Sequence, residues 1–208
     1  MLITPGRLWK DTTSNLVFAL VVDDFGVKYT SKHDAERLMH TLQQLYSMSE
    51  DWTGARYCGL TLEWDYLNRT VDISIPGYIE RTLQCFQHPP PTQPQHSPHA
   101  WQKPTYGATI QYAPAPDTTA PLDAKDTKHV QEVLGMLLFY AHAVDSTMLP
   151  TIGTLASQQA HGTKATLEAL TQLLNYCTTH PDAKVRFIAS DMVLHVHSDA
   201  SYLFAPKA

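Results

Sequence analysis

The first part of the chain begins with a strand-like hydrophobic pattern. An unbroken apolar run, rich in β-branched residues, covers Leu16 to Val22 and is typical of a buried strand. The residues "DDFG" predict a turn that contains Gly26, and "VKYT" predicts a returning strand. The first dozen residues show no clear element. We therefore expect a β-hairpin whose acidic tip carries Asp23 and Asp24.

The next two segments have the periods of a helix and of a second hairpin. In "SKHDAERLMHTLQQLYSM" the apolar residues fall at helical spacing, and Ser31 is placed to cap the helix; they are Ala35, Leu38, Leu42 and Leu45. In "RYCGLTLEWDYLNRTVDISI" apolar and polar positions alternate on either side of the turn "DYLNRT". One face would carry Cys58, Leu60, Leu62 and Trp64, and beyond the turn another would carry Val71, Ile73 and Ile75.

Helical patterns dominate the rest of the chain, apart from a proline-rich segment. "PGYIERTLQCF" predicts a short helix with Ile79, Leu83 and Phe86 on one side. Residues 87–121 hold nine of the 14 prolines, so this segment is predicted to be an irregular linker or, alternatively, a long ordered loop on the surface.

Three helices and a last pair of strands are predicted after the proline-rich segment. The helical segments are "DTKHVQEVLGMLLFYAHAV", "LPTIGTLASQQA" and "TKATLEALTQLLNYCTTH". Their in-phase apolar residues are Val130, Val133, Leu134, Leu137 and Ala141 in the first, and Leu167, Leu170, Leu174 and Cys177 in the last. "KVRFIAS" and "MVLHVHS" then predict two strands around a turn at Ser190 and Asp191.

Composition narrows the class of protein. The 208 residues are 43% hydrophobic and 17% charged, as in an ordinary globular chain. No apolar run approaches the roughly 20 residues that span a bilayer, and the N-terminus lacks a signal-peptide layout. We expect a cytoplasmic or nuclear protein that is not secreted and has no membrane partner. The three cysteines are in no metal spacing and read as reduced and structural.

Two adjacent aspartates at the end of a buried strand need a physical reason. Their charges repel and are costly there unless a cation sits beside them. Magnesium is the usual cation, because it prefers carboxylate oxygens and also accepts phosphate. An ordinary acidic turn is the alternative, since aspartate is a favoured turn residue.

The order of the motifs resembles the reverse transcriptase of copia-type LTR retrotransposons. That family usually has Tyr-Val-Asp-Asp, and here the chain reads Val21-Val22-Asp23-Asp24. An aromatic-x-Gly-Leu strand follows in the family, matched by "YCGLTLEWD", and then a block matched by "YIERTLQCF". The later blocks are "VLGMLLFYA", "LTQLLNYC" and "HSDAS". The resemblance runs from about Leu16 to Tyr202.

The resemblance implies roles for individual residues. Asp23 would be the stronger ligand of Mg²⁺ and Asp24 its partner in two-metal nucleotidyl transfer, while Val21 replaces the family's tyrosine. Asp199 would be the first metal-binding aspartate of ribonuclease H. The implied partners are an RNA/DNA template-primer, deoxynucleotide triphosphates and the remainder of the Pol polyprotein. The hairpin at 56–75 would grip the primer.

The implied fold is α+β, with four regions. Residues 1–86 would be the C-terminal part of the palm and the start of the thumb, and 87–125 the proline-rich linker. Residues 126–182 would be the helical thumb and connection, and 183–208 the first strands of a ribonuclease H domain. The upstream palm aspartate, the fingers and the other ribonuclease H ligands have no match, so we expect an interior segment of a polyprotein that is inactive alone.

Two further functional classes remain open. One is a non-catalytic retroelement remnant that acts, if at all, as a nucleic-acid or protein interaction module; the net charge of −5 favours it, because gripping phosphate needs clustered Lys and Arg. The other is a metallo-hydrolase, suggested by His195, His197 and Asp199 in "HVHSD". Such an enzyme needs several more ligands downstream, so satisfied or exposed strand histidines are the better interpretation of this motif.

Overall fold

The computed structural model describes the backbone of residues 2–4 and residues 8–100, 117–191, 193 and 195–198. The chain is of the α+β class and divides into two units, Met1–Ile73 and Ser74–Ala208. Among the described residues, no helix is long and apolar enough to cross a bilayer.

The first unit opens with an antiparallel sheet in the strand order β1-β2-β3-β4. Its strands are β1 Leu2–Thr4, β2 Leu8–Lys10, β3 Val17–Val21 and β4 Asp24–Lys28. Aromatic rings join the strands on one face, where Trp9 stacks on Phe18 at 5.2 Å and Phe18 lies 5.8 Å from Phe25. The expectation that the first dozen residues carry no element was therefore wrong, because β1 and β2 extend the predicted hairpin into a sheet.

The predicted amphipathic helix is α1, Lys32–Gln43. Ser31 precedes it, but its side chain makes no capping hydrogen bond. Ala35 is buried, whereas Leu45 lies beyond the helix end and is 78% exposed, so the predicted apolar stripe stops one turn early. Arg37 donates to Asp11 at 3.0 Å, which ties the helix to the loop after β2.

The second predicted hairpin has one more strand than the pattern indicated. Its strands are β5 Arg56–Tyr57, β6 Leu60–Asp65 and β7 Thr70–Ser74, which are successive neighbours in a second sheet. Cys58 has φ 50° and Gly59 φ 77°, and together they form the tight turn between β5 and β6. Cys58 is therefore a turn residue, and its predicted place on a strand face with Leu60 was wrong.

The second unit is mainly helical. Its elements are α2 Tyr78–Cys85, α3 Ala124–Ala143, α4 Leu149–Gln158, α5 Lys164–Thr179 and β8 Lys184–Ile188. A short 3₁₀ turn, Ser146–Met148, joins α3 to α4. Thr163 and Thr166 form a capping box that starts α5, and the Asp123 side chain caps α3 by accepting from the Asp126 N–H.

The core of this unit lies between α2, α3, α4 and α5. The five apolar residues predicted to be in phase on α3 are all buried, as are Leu170, Leu174 and Cys177 of α5. Tyr140 stacks on Tyr78 at 5.6 Å. Its hydroxyl donates to the Pro181 carbonyl at 3.0 Å and accepts from the Ala183 N–H at 2.9 Å, which fixes the chain after α5.

Residues 87–100 contain no helix or strand, as the prolines predicted. They do not behave as a free linker, however, because they lie along α5. The Gln95 N–H donates to Thr179 Oγ1 at 2.9 Å, and Gln172 donates to the Ser97 carbonyl at 2.8 Å. This part of the segment is therefore the ordered surface loop that was the alternative interpretation.

The predicted final pair of strands is only half present in the described residues. β8 matches "KVRFIAS", but Val193 and residues 195–198 have no strand conformation. The expected second strand is therefore wrong for these residues. The rest of the expected start of a ribonuclease H sheet lies outside the described residues.

Candidate functional site

Asp23 and Asp24 lie at the exposed end of the β3–β4 hairpin, as predicted. The register pairs Val21 with Asp24, so the turn consists of Val22 and Asp23. Both aspartates are exposed. The predicted turn "DDFG" was two residues too late, because Asp24 already begins β4 and Gly26 lies within that strand.

Val22 has an unusual backbone at this turn. Its φ is 56°, in the left-handed region that a β-branched side chain rarely adopts. Two-residue hairpin loops require a positive φ because their twist must match that of the strands. A strained residue persists only where the surrounding structure holds it, and here the five-pair register of β3 and β4 does so.

The ring of Tyr57 supports the hairpin on the Asp24 side. Gly26 is two residues from Asp24, so both point to the same face of β4. A Cβ built on Gly26 would lie 3.0 Å from Cζ of Tyr57, which shows that the ring lies directly on the strand. The glycine is therefore required by close approach rather than by a turn.

The Tyr57 hydroxyl is buried without a hydrogen-bond partner among the described residues. Burial raises the pKa of Tyr57, and the neighbouring Cys58 thiol and the Asp24 carboxylate raise it further. The hydroxyl therefore keeps its proton to higher pH than an exposed tyrosine does. The motif "YCGL" contains this tyrosine, but nothing in the sequence indicated that its ring would lie on β4.

Within the described part of the chain, no third acidic, histidine or cysteine side chain joins the two carboxylates in a metal-binding group. Among the residues that the structure describes, no group of three or more such side chains is arranged to hold a metal ion. Adjacent exposed carboxylates can supply two oxygens to one hydrated Mg²⁺, which keeps several waters in such sites. They cannot by themselves hold two ions about 4 Å apart.

The other sequence-predicted ligands are Asp199, His195 and His197. Asp199 lies outside the described residues. His195 and His197 are described but are not in a strand. The strand geometry that would direct alternate side chains to one face, as the hydrolase interpretation needs, is therefore absent at these two residues.

A polar cluster that the sequence did not indicate lies in the second unit. Asp145 is 6% exposed and accepts hydrogen bonds from Tyr176 at 2.9 Å and from the Thr147 hydroxyl at 2.5 Å. It caps the 3₁₀ turn and joins the α3–α4 corner to α5. A cleft of about 520 Å³ opens beside it, lined also by His180 and Asp182.

A comparison with known proteins found no matching family model, no matching curated protein and no matching solved structure.

Proposed function

We propose that this chain is part of a copia-type reverse transcriptase, with Asp23 and Asp24 as ligands of a catalytic Mg²⁺. The observation that carries the proposal is the position of both carboxylates at the exposed end of a tight antiparallel hairpin. The ordered motif blocks around them support the same assignment. The hairpin at 56–75 then grips the primer, the helices α2 to α5 form thumb and connection, and Asp199 opens a ribonuclease H domain.

Packing contacts around the hairpin favour a fixed geometry for its proposed metal ligands. Catalytic carboxylates must be held within a fraction of an ångström of their working geometry, and packing against neighbouring side chains provides this. Three kinds of contact hold the Asp23–Asp24 tip. They are the five cross-strand pairs of β3 and β4, the packing of the Phe18 and Phe25 rings, and the contact of Tyr57 with Gly26. An unsupported acidic surface turn would not need these contacts.

Polymerisation requires more than these two residues. Two-metal phosphoryl transfer uses carboxylates from separate strands, and the described residues offer no third ligand at this tip. The proposal therefore assigns the third carboxylate, and the groups that position the triphosphate, to the remainder of the Pol polyprotein. Template-primer and deoxynucleotide triphosphates are the substrates of that complete enzyme.

Metal binding at the tip is the direct test. Mn²⁺, a spectroscopic substitute for Mg²⁺, is titrated into the 208-residue chain and free Mn²⁺ is measured by electron paramagnetic resonance. We expect one weak site that Mg²⁺ displaces and that Asp23→Asn and Asp24→Asn each weaken at least several-fold. Glu168→Gln, an exposed acid on α5, is the matched control and should leave binding unchanged. Equal binding by Asp23→Asn and the unaltered chain would overturn the ligand assignment.

Primer extension tests the ligand count. The purified chain is given a poly(rA)–oligo(dT) template-primer, deoxythymidine triphosphate and Mg²⁺. We expect no extension, because the tip carries only two carboxylates. Magnesium-dependent extension that disappears in Asp23→Asn would contradict this count, although it would support the family.

The alternative is a non-catalytic remnant that binds nucleic acid or protein. The net charge of −5 is the observation that favours it over an active polymerase. Absence of a Mn²⁺ site at Asp23 and Asp24, with the hairpin intact, would favour this alternative.

A further inference from the structure

Two histidine rings that are 84 residues apart in the sequence meet on the surface of the second unit. Nδ1 of His96 lies 3.1 Å from Nε2 of His180. The ring centroids are 5.2 Å apart and the ring planes are inclined by 60°. His96 belongs to the loop 87–100, and His180 directly follows α5 as its C-cap residue.

Contacts that do not involve the other histidine hold the backbone around each ring. The backbone on either side of His96 is fixed, because the Gln95 N–H donates to Thr179 and the Ser97 carbonyl accepts from Gln172. His180 is fixed by its N–H, which donates to the Tyr176 carbonyl at 2.9 Å, and by the Tyr176 ring at 5.0 Å. The backbone positions that bring the two rings together are therefore fixed by contacts other than the hydrogen bond between them.

The distance between the nitrogens suits a shared metal ion. Imidazole nitrogens bind Zn²⁺ at about 2.0–2.1 Å, so two of them lie about 2.9 Å apart at a right angle and about 3.3 Å apart in a tetrahedral site. The observed 3.1 Å lies between these values. The two nitrogens are at hydrogen-bond distance, and a metal ion can take the place of the bonding proton after small ring rotations.

We propose that His96 and His180 form a binding site for a late first-row transition ion of the Zn²⁺, Ni²⁺ or Cu²⁺ kind. Imidazole nitrogen suits these ions, whereas Mg²⁺ prefers oxygen ligands. No third His, Cys, Asp or Glu among the described residues completes the site, so water fills the remaining positions. The bound ion fastens the loop 87–100 to the end of α5, and the site is independent of the Asp23–Asp24 hairpin.

A zinc titration tests the site. The 208-residue chain competes with a colorimetric zinc chelator, and the same titration is repeated with His96→Ala, His180→Ala and the control His99→Ala. His99 lies in the same loop and its ring contacts the Ala100 carbonyl rather than another histidine. We expect His96→Ala and His180→Ala to weaken the tightest zinc site at least tenfold and His99→Ala to leave it within twofold. Binding retained by His96→Ala would overturn the proposal.

Two further measurements separate ligation from a loss of folding. His96 is exposed, so far-ultraviolet circular dichroism of His96→Ala should match that of the unaltered chain. Bound Cu²⁺ should show hyperfine coupling to two nitrogens by electron paramagnetic resonance, and coupling to one nitrogen or none would contradict the paired site. Zinc should also slow proteolytic cleavage within 87–100 in the unaltered chain and in His99→Ala, but not in His96→Ala.

Discussion

The ring of Tyr57 lies directly against Gly26 and leaves too little room for a β-carbon unless the ring or the strand shifts. A Cβ at residue 26 would lie 3.0 Å from Cζ and 3.1 Å from Cε2 of Tyr57. This contact joins β4 to β5 on the face that also carries Asp24. The acidic tip and the "YCGL" turn, which are separate motifs in the sequence, are therefore parts of one packed arrangement.

Gly26→Ala should destabilise the first unit by about 1–3 kcal/mol, because an added methyl group must displace the Tyr57 ring or bend β4. Urea denaturation followed by tryptophan fluorescence measures the change, since Trp9, Trp52 and Trp64 all lie in this unit. Gly135→Ala is the control: a Cβ there would meet nothing within 4 Å outside its own helix backbone, and the residue lies inside α3. It should stabilise that helix by about 0.5–1 kcal/mol, which circular dichroism at 222 nm measures. A Gly26→Ala protein as stable as the unaltered chain would show that the ring moves freely.

Val22→Gly should make the β3–β4 hairpin more stable by about 1 kcal/mol. The left-handed φ of 56° costs a β-branched residue roughly 1–2 kcal/mol, and glycine relieves this strain. Part of the gain is offset because glycine loses more backbone entropy on folding. The same denaturation experiment measures it. Val21→Gly is the comparison and should be destabilising, since Val21 is an ordinary strand residue paired with Asp24. If both variants lose stability, the turn strain does not exist in solution.

Tyr176→Phe should destabilise the helical unit by about 1.5–3 kcal/mol, because it removes a hydrogen bond to the buried Asp145 carboxylate. Asp145→Ala should cost more, since the carboxylate accepts from both Tyr176 and Thr147 and these two hydroxyls keep only the hydrogen bond to each other. Circular dichroism at 222 nm during urea denaturation measures both. Tyr66→Phe is the control, because Tyr66 is 80% exposed, and it should leave the free energy of unfolding unchanged. An equally small effect of Tyr176→Phe would contradict a stabilising hydrogen bond between α5 and the α3–α4 corner.

The helical unit should lose stability in alkali. Burial raises the pKa of Cys177 to about 12 from an ordinary 9.0, and burial likewise raises that of Tyr140 to about 12 from 10.0. The folded state therefore keeps protons that the unfolded chain releases. The contribution of Cys177 and Tyr140 to the free energy of unfolding is complete below about pH 9 and is lost as the pH rises to about 12.

Urea midpoints at pH 8, 9.5 and 11, followed by circular dichroism, measure this alkaline loss. Cys177→Ala should make the decline with pH shallower, even though the variant is less stable throughout. Cys85→Ala, which removes an exposed thiol, should leave the slope unchanged. A decline of the same slope in Cys177→Ala and the unaltered chain would show that the buried thiol does not contribute.

The local periodicity of the sequence was sufficient to predict most of the elements. The helical period of Val130, Val133 and Leu137 survives as the buried stripe of α3, because a residue's place on a helix face depends only on its spacing from near neighbours. The hairpin with Asp23 and Asp24 at its tip followed from an apolar run that meets polar turn residues, which is also local. The family resemblance and the Mg²⁺ assignment stay predictions.

Tertiary structure decided what depends on contacts between distant residues. The position of the first turn was set by the register of β3 against β4, which placed Val22 rather than Gly26 in the left-handed position. The loop 87–100 became ordered because α5 supplies hydrogen-bond partners that its own residues cannot provide. The Asp145–Tyr176 and His96–His180 pairs join residues 31 and 84 positions apart, and no local period encodes such pairs, since packing of whole elements brings them together.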